Sequence, residues 1–323
     1  MAWRSTQAVT RTAVRVGAAG SKKVAGFAVR RAVKLPAVEH VPEGRRVVLP
    51  GRGETLLVDV EGPTPDAPTI VLLHALGCTA YLCWFATLAE LSKSHRVITF
   101  DQRWHGRGIR SPRFRLDDCA DDVAAVLDEL DIDRALIAGY SLGGAIAQTT
   151  WHRHPERVSG LVLSSTARNY RGHKREKFFF SLMTLAMHPL SRVAESRVER
   201  VAQQLAPMPE VHIQDSIRWG TGEFRSTSAW SMPEVLGELG RFNSAEWIGD
   251  VDVPTAVVVT ARDRVIPSRR QRKLAECIEG ASVYEAPGGH ASVVMDHDRW
   301  VPVFLEAVAD VSGRIPSSAQ VAV

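Results

Sequence analysis

Short apolar runs alternate with longer amphipathic stretches along most of this chain, and that alternation predicts a fold class. The runs at 69–73, 95–100, 134–138, 158–164 and 255–260 carry consecutive Val, Ile, Leu, Ala or Phe residues. Runs of that length and character are the mark of strands buried on both faces. A further run, Ser-Val-Tyr-Glu-Ala at 282–286, reads as one more strand. Between them lie helical patterns. Ala120, Val123, Val126, Leu127 and Leu130 recur at helical spacing within 116–130, and helices are predicted over 81–92 and 144–154, the latter stopping at Pro155. Residues 46–49 and 55–61 read as a β pair joined by Pro-Gly-Arg-Gly at 50–53. Strands alternating with helices imply an α/β fold, with a mostly parallel central sheet and helices on both faces.

The alternation stops at Thr166 and resumes after Trp247. The intervening stretch is helical in character, so 166–247 is expected to be a helical cap between core segments 46–165 and 248–312. Within it, Arg-Gly-His-Lys-Arg-Glu-Lys at 171–177 is most simply a solvated basic run. Phe-Phe-Phe-Ser-Leu-Met-Thr-Leu-Ala-Met at 178–187 is apolar on nearly all sides. A helix like that must pack on the body, line an acyl-binding pocket or touch lipid. Trp219, Trp230 and Trp247 add aromatic area that suits an apolar substrate moiety.

The candidate chemistry sits where strands end. Gly-Tyr-Ser-Leu-Gly at 139–143 follows one buried run and opens a helix. A serine on so sharp a turn presents its hydroxyl at the sheet edge, and Gly139 and Gly143 let strand and helix close around it. A nucleophilic serine needs a base, and the base needs an orienting acid. Asp263 falls just past the run at 255–260, and His290 follows the run at 282–286 in Pro-Gly-Gly-His. Both therefore reach the sheet edge that carries Ser141, the usual place for sites in open α/β sheets. The oxyanion of an acyl-transfer intermediate needs N–H donors. Leu142, directly after the serine, is one candidate; Leu76, in the loop after 69–73, is the other.

These segments resemble the α/β-hydrolase superfamily, in particular its single-domain esterase, lipase and haloperoxidase-like members, over about residues 46–311. The resemblance rests on His-Ala-Leu-Gly at 74–77, Asp-Gln-Arg-Trp-His-Gly at 101–106, the serine turn, Arg-Asp-Arg-Val-Ile-Pro at 262–267 and Gly-Gly-His at 288–290. It implies a serine hydrolase that needs no metal or cofactor, with a Ser141–Asp263–His290 triad and the N–H groups of Leu76 and Leu142 as oxyanion hole. It also implies a small-molecule or lipid-like carboxylic ester as substrate. His74, Tyr140, Trp104, Phe179 and Met183 are the candidates for the substrate pocket. Two departures from the family pattern stand out: Ala75 replaces the usual glycine after His74, and Trp104 occupies the first glycine position of an Arg-Gly-His-Gly loop, where it either walls the pocket or packs against the sheet. Carbon–carbon bond hydrolysis, thioester hydrolysis, acyl transfer and perhydrolysis use the same triad and stay open. So does a non-catalytic ligand receptor, although an intact triad argues against it.

Composition adds less, except at the N-terminus. At 323 residues with 45% hydrophobic and 24% charged content, the chain is ordinary for a globular protein. Cys78, Cys83, Cys119 and Cys277 have neither disulfide-framework nor metal-ligand spacing, which fits a reducing, cytoplasmic compartment. No phosphate-binding loop, dinucleotide fingerprint or nucleic-acid motif is present. The net charge of +4 conceals an asymmetry: residues 1–50 hold ten Lys/Arg against only Glu39 and Glu43. Residues 1–36 lack acids altogether, and helical winding gathers Arg4, Arg11, Arg15 and Lys22 opposite Trp3, Val9, Val16 and Phe27. Within this N-terminal extension, 1–45, residues 1–36 are expected to contact an anionic membrane surface peripherally, to dock on the body or to form a disordered tail. Lys22-Lys23 and Arg30-Arg31 interrupt any signal-peptide core. Residues 313–323 read as a loose tail.

Overall fold

The computed structural model describes residues 38–170, 212–227 and 232–316. The expectations for the leader 1–36, for Phe179 and Met183, and for the tail beyond 316 lie outside the described residues.

Eight strands form one sheet: β1 (Gly44–Leu49), β2 (Gly53–Val60), β3 (Thr69–Leu73), β4 (Arg96–Phe100), β5 (Ala135–Tyr140), β6 (Val158–Ser164), β7 (Thr255–Thr260) and β8 (Ser282–Ala286). Their spatial order is β1-β2-β4-β3-β5-β6-β7-β8. β1 and β2 pair antiparallel, as does β2 with β4; every later pairing is parallel. The helices are α1 (Ala80–Trp84), α2 (Leu88–Leu91), α3 (Leu116–Glu129), α4 (Leu142–Arg153), α5 (Ser216–Ser226), α6 (Met232–Arg241), α7 (Ser268–Ala275), α8 (Ser292–Met295) and α9 (His297–Arg314). Both α5 and α6 lie between β6 and β7, within the stretch expected as a cap. None of the described helices is long and apolar enough to cross a membrane.

The period of two in the strands sorts the core into two layers. Val71, Leu73, Ile98, Ile137, Leu161, Leu163, Val257 and Val259 face one way, toward Val123 and Leu127 of α3, Ile146 of α4 and Leu274 of α7. Their neighbours Ile70, Leu72, Val97, Leu136, Ala138, Val162, Ala256 and Val258 face the other way, where α9 contributes Trp300, Phe304, Ala307 and Val311. Trp300 and Phe304 stack at 4.7 Å. Because β3, β5, β6 and β7 are covered on both sides, their residues are mostly apolar at odd and even positions alike.

The helix expected over 81–92 is two short helices, α1 and α2. Thr79 caps the first, its hydroxyl accepting from the Leu82 N–H at 3.1 Å. The Phe85 and Thr87 N–H groups bond back to Tyr81 and Trp84, and the chain turns there. No glycine or proline marks that break.

Candidate active site

Ser141 stands between β5 and α4 at φ 55° and ψ −109°, a left-handed conformation unfavourable for a residue with a side chain. The surrounding bonds hold it there. Its N–H donates to the Ser164 carbonyl at 2.9 Å, and its carbonyl accepts from the Gly144 N–H at 3.0 Å, the Thr166 hydroxyl at 3.0 Å and the Tyr170 hydroxyl at 3.1 Å. The two flanking glycines are required by space. A Cβ on Gly139 would overlap the Gly143 carbonyl, and one on Gly143 would overlap the Leu73 carbonyl.

The hydroxyl so displayed meets an imidazole. Ser141 Oγ lies 2.9 Å from His290 Nε2, and His290 Nδ1 lies 2.7 Å from Asp263 Oδ2. Asp263 is fixed in turn by the Val265 and Ile266 N–H groups, both 2.8 Å from Oδ1, and by the Thr260 hydroxyl, 2.9 Å from Oδ2. Burial alone would push this carboxyl up. The His290 bond and charge, with the Ile266 N–H and Thr260, hold it below the ordinary carboxylate range. Asp263 therefore stays an anion that accepts from Nδ1–H, which leaves His290 Nε2 as the acceptor for the serine proton. Tyr140 sits behind this pair, its hydroxyl donating to the His290 carbonyl at 2.9 Å.

Ser141 and His290 line a cavity of about 580 Å³ whose other walls include Leu76, Tyr170, Leu236, Leu239, Val265 and Val294. Leu142 is the first residue of α4, where helix geometry leaves backbone N–H groups without intrahelical acceptors. Leu76 borders the cavity. Three residues expected in the pocket are elsewhere. Tyr140 supports His290 from behind. Trp104 is 2% exposed, packed on Phe114 at 6.0 Å with its indole N–H donating to the Ser111 carbonyl. It adopts φ 66°, a conformation that glycine takes without strain.

His74 is the third residue outside the cavity lining. It is fully buried: Nδ1 donates to the Ala75 carbonyl at 2.9 Å while Nε2 accepts the Gln102 N–H at 2.9 Å. Both ring nitrogens are thus used to pin the loop that carries Leu76. Burial pushes its pKa down to about 4, against the Ala75 bond that favours the charged form. His105, whose ring lies 5.1 Å away, is pushed down to about 3 by burial and by His74.

A buried ion cluster ties the same loop to α5. Arg107 donates to Glu223 at 2.6 and 3.0 Å and approaches Asp101 at 3.5 Å. The Asp101 carboxylate also accepts from the Ala80 and Arg107 N–H groups, and Thr79 donates to Glu223. Burial raises the Asp101 pKa against the opposing Arg107 charge. Replacing Arg107 by methionine leaves two buried carboxylates without their shared cation, so unfolding free energy in urea should fall by about 3–5 kcal/mol. A loss under 1 kcal/mol would mean the cluster contributes little.

The fold and this constellation define a class. The chain belongs to the alpha/beta hydrolase fold family, whose model matches residues 68–298. Its relatives include the pimeloyl-acyl-carrier-protein methyl ester esterase of Chromobacterium violaceum, 28% identical over 260 residues, with 79% of this chain and 97% of that protein covered. Among solved structures it is similar to the enol-lactonase of Burkholderia xenovorans, with TM-score 0.63, 21% identity, and 82% of this chain and 100% of that one covered. It is likewise similar to a thermophilic esterase from Thermogutta terrifontis, with TM-score 0.64, 20% identity, and 83% and 99% covered.

Proposed function

We propose that this protein is a serine hydrolase that cleaves a carboxylic ester with an apolar acyl or alcohol part. The observation that carries the reading is the pair of bonds from Ser141 through His290 to Asp263, at 2.9 and 2.7 Å, opening on a cavity walled mostly by aliphatic side chains. His290 Nε2 takes the hydroxyl proton as Ser141 Oγ attacks the ester carbonyl. Asp263 holds the imidazole in the required tautomer and stabilises its cation. The N–H groups of Leu142 and Leu76 receive the oxyanion, each such donor contributing about 3–4 kcal/mol to barrier lowering. Collapse of the tetrahedral intermediate breaks the ester C–O bond, and His290 returns its proton to the departing alcohol. Water, deprotonated by His290, then attacks the acyl-enzyme, releasing the acid and regenerating Ser141.

The methyl ester esterase among its relatives supports an ester, and a lactone is a cyclic ester open to the same steps. Hydrolysis of p-nitrophenyl esters from short to long acyl chains tests the reading. Turnover should be measurable and should rise with chain length until the acyl group fills the cavity. No release of p-nitrophenol by folded protein from any member of the series would sink it.

A further inference from the structure

A second concavity, of about 370 Å³, adjoins the one over Ser141, and Arg270 lines both. Its character is the opposite of its neighbour's. Arg168, from the segment after β6, converges there with Arg269, Arg270 and Lys273 of α7, and Glu276 is the acid among the described lining residues. Arg269 and Lys273 stand one helical turn apart on the same face of α7. Arg168 is steadied by Cys277, its Nη1 lying 3.4 Å from Sγ, and by its carbonyl, which accepts the Ser244 N–H at 2.7 Å. Arg270 is anchored on Asn169, to the carbonyl at 2.5 Å and to Oδ1 at 2.9 Å. Lys273 Nζ lies 3.0 Å from Glu276. A basic helix face by itself is ordinarily just solvated. Here two separate chain segments bring cations to the walls of one concavity, and that concavity shares a wall with the Ser141 cavity.

We propose that this concavity is a subsite for an anionic end group of the substrate, a carboxylate or phosphate, while an apolar stretch spans the aliphatic cavity and places the ester at Ser141. The inference rests on the hydrolase reading for the identity of the reacting group. Guanidinium and ammonium groups on concave walls suit an oxyanion end group, by charge-assisted hydrogen bonds and by raising its local concentration. Discrimination follows from the empty-handed alternative: a neutral chain end gains nothing from these cations and must displace their water.

The test compares matched esters. Methyl octanoate and monomethyl suberate differ in whether the acyl chain ends in a carboxylate. Octanoyl pantetheine and its 4′-phosphate differ in a phosphate on the leaving side. The wild-type kcat/KM should favour one charged member over its neutral partner by roughly tenfold or more, and the pair that shows it identifies the source of the anion. That ratio should collapse toward one in the R269A/K273A variant, survive in R269K/K273R, and shrink as salt rises. A ratio equal in wild type and R269A/K273A overturns the subsite. Should wild type hydrolyse none of the four compounds, turnover of the p-nitrophenyl series decides separately whether the ester-hydrolase reading fails. The subsite is then read by calorimetric titration of monomethyl suberate and 4′-phosphopantetheine. A Kd for either that is weaker by about fivefold or more in R269A/K273A sustains the subsite, and Kd values unchanged by the substitutions overturn it.

Discussion

Ser141→Ala should lower kcat for a p-nitrophenyl ester by roughly four to six orders of magnitude, with KM changed far less. The size follows from the geometry. His290 Nε2 has a single reacting partner, the hydroxyl at 2.9 Å, and without it neither proton abstraction nor an acyl-enzyme is available. The residual rate would come from the oxyanion donors and the cavity, acting on water instead of serine. Stability should be nearly unaltered, because alanine meets the same left-handed φ of 55° that serine does. The check is steady-state kinetics beside a urea melt of both proteins. A variant that folds normally and keeps more than about a hundredth of wild-type kcat would place the nucleophile elsewhere.

Acid should unfold this protein early, and two histidines outside the triad should be responsible. His74 and His105 are fully buried and neutral, with pKa values pushed from 6.5 down to about 4 and about 3. In the unfolded chain both titrate near 6.5. Above that pH neither state holds the extra protons, and the stability is fully present. As pH falls below 6.5 the unfolded chain takes up protons that the fold refuses, so stability declines until the folded pKa values are reached. Each imidazole contributes a slope of roughly 1.4 kcal/mol per pH unit in that window. His95, lowered by burial, adds in the same direction. Asp101, raised by burial, works the other way, and Asp263 and Asp121 are held low enough that they titrate below this window. Urea midpoints measured from about pH 7.5 to 4.5 should therefore fall steeply below pH 6.5, and His105→Gln should flatten the slope by about one proton's worth. A stability profile level between pH 6.5 and 5 would refute the assignment.

Much of this architecture was legible along the chain because burial on both faces leaves an unambiguous mark. β3, β5, β6 and β7 each read as a continuous apolar run, and the turn at 139–143 announced itself through two glycines that close contact with backbone carbonyls requires. Asp263 and His290 followed from chain order and from their places after β7 and β8. The pocket was harder. Periodicity says that His74 follows a strand, but not that its ring turns inward to hold Ala75 and Gln102. Trp104 was legible as a departure, yet only its φ of 66° and its contact with Phe114 show how the fold absorbs it. The Arg107–Glu223 pair joins residues 116 apart, and Arg270 meets Asn169 across a separation of 101. No local pattern encodes a partner at that distance. The helix over 81–92 divided because tertiary packing around Trp84 prevailed where no breaker residue stood.

Ser141 and His290 are separated by 149 positions, and their meeting requires β5 and β8 to occupy the same sheet with β6 and β7 between them. Long-range parallel pairing is the slow part of folding, since the loop entropy is lost before the contacts form. The hydrogen bond between serine and imidazole consequently reports that β8 has joined the sheet. A chain that has formed α3, α4 and the first strands but has not added β8 lacks the His290 contact, so the pair exists only in the completed sheet.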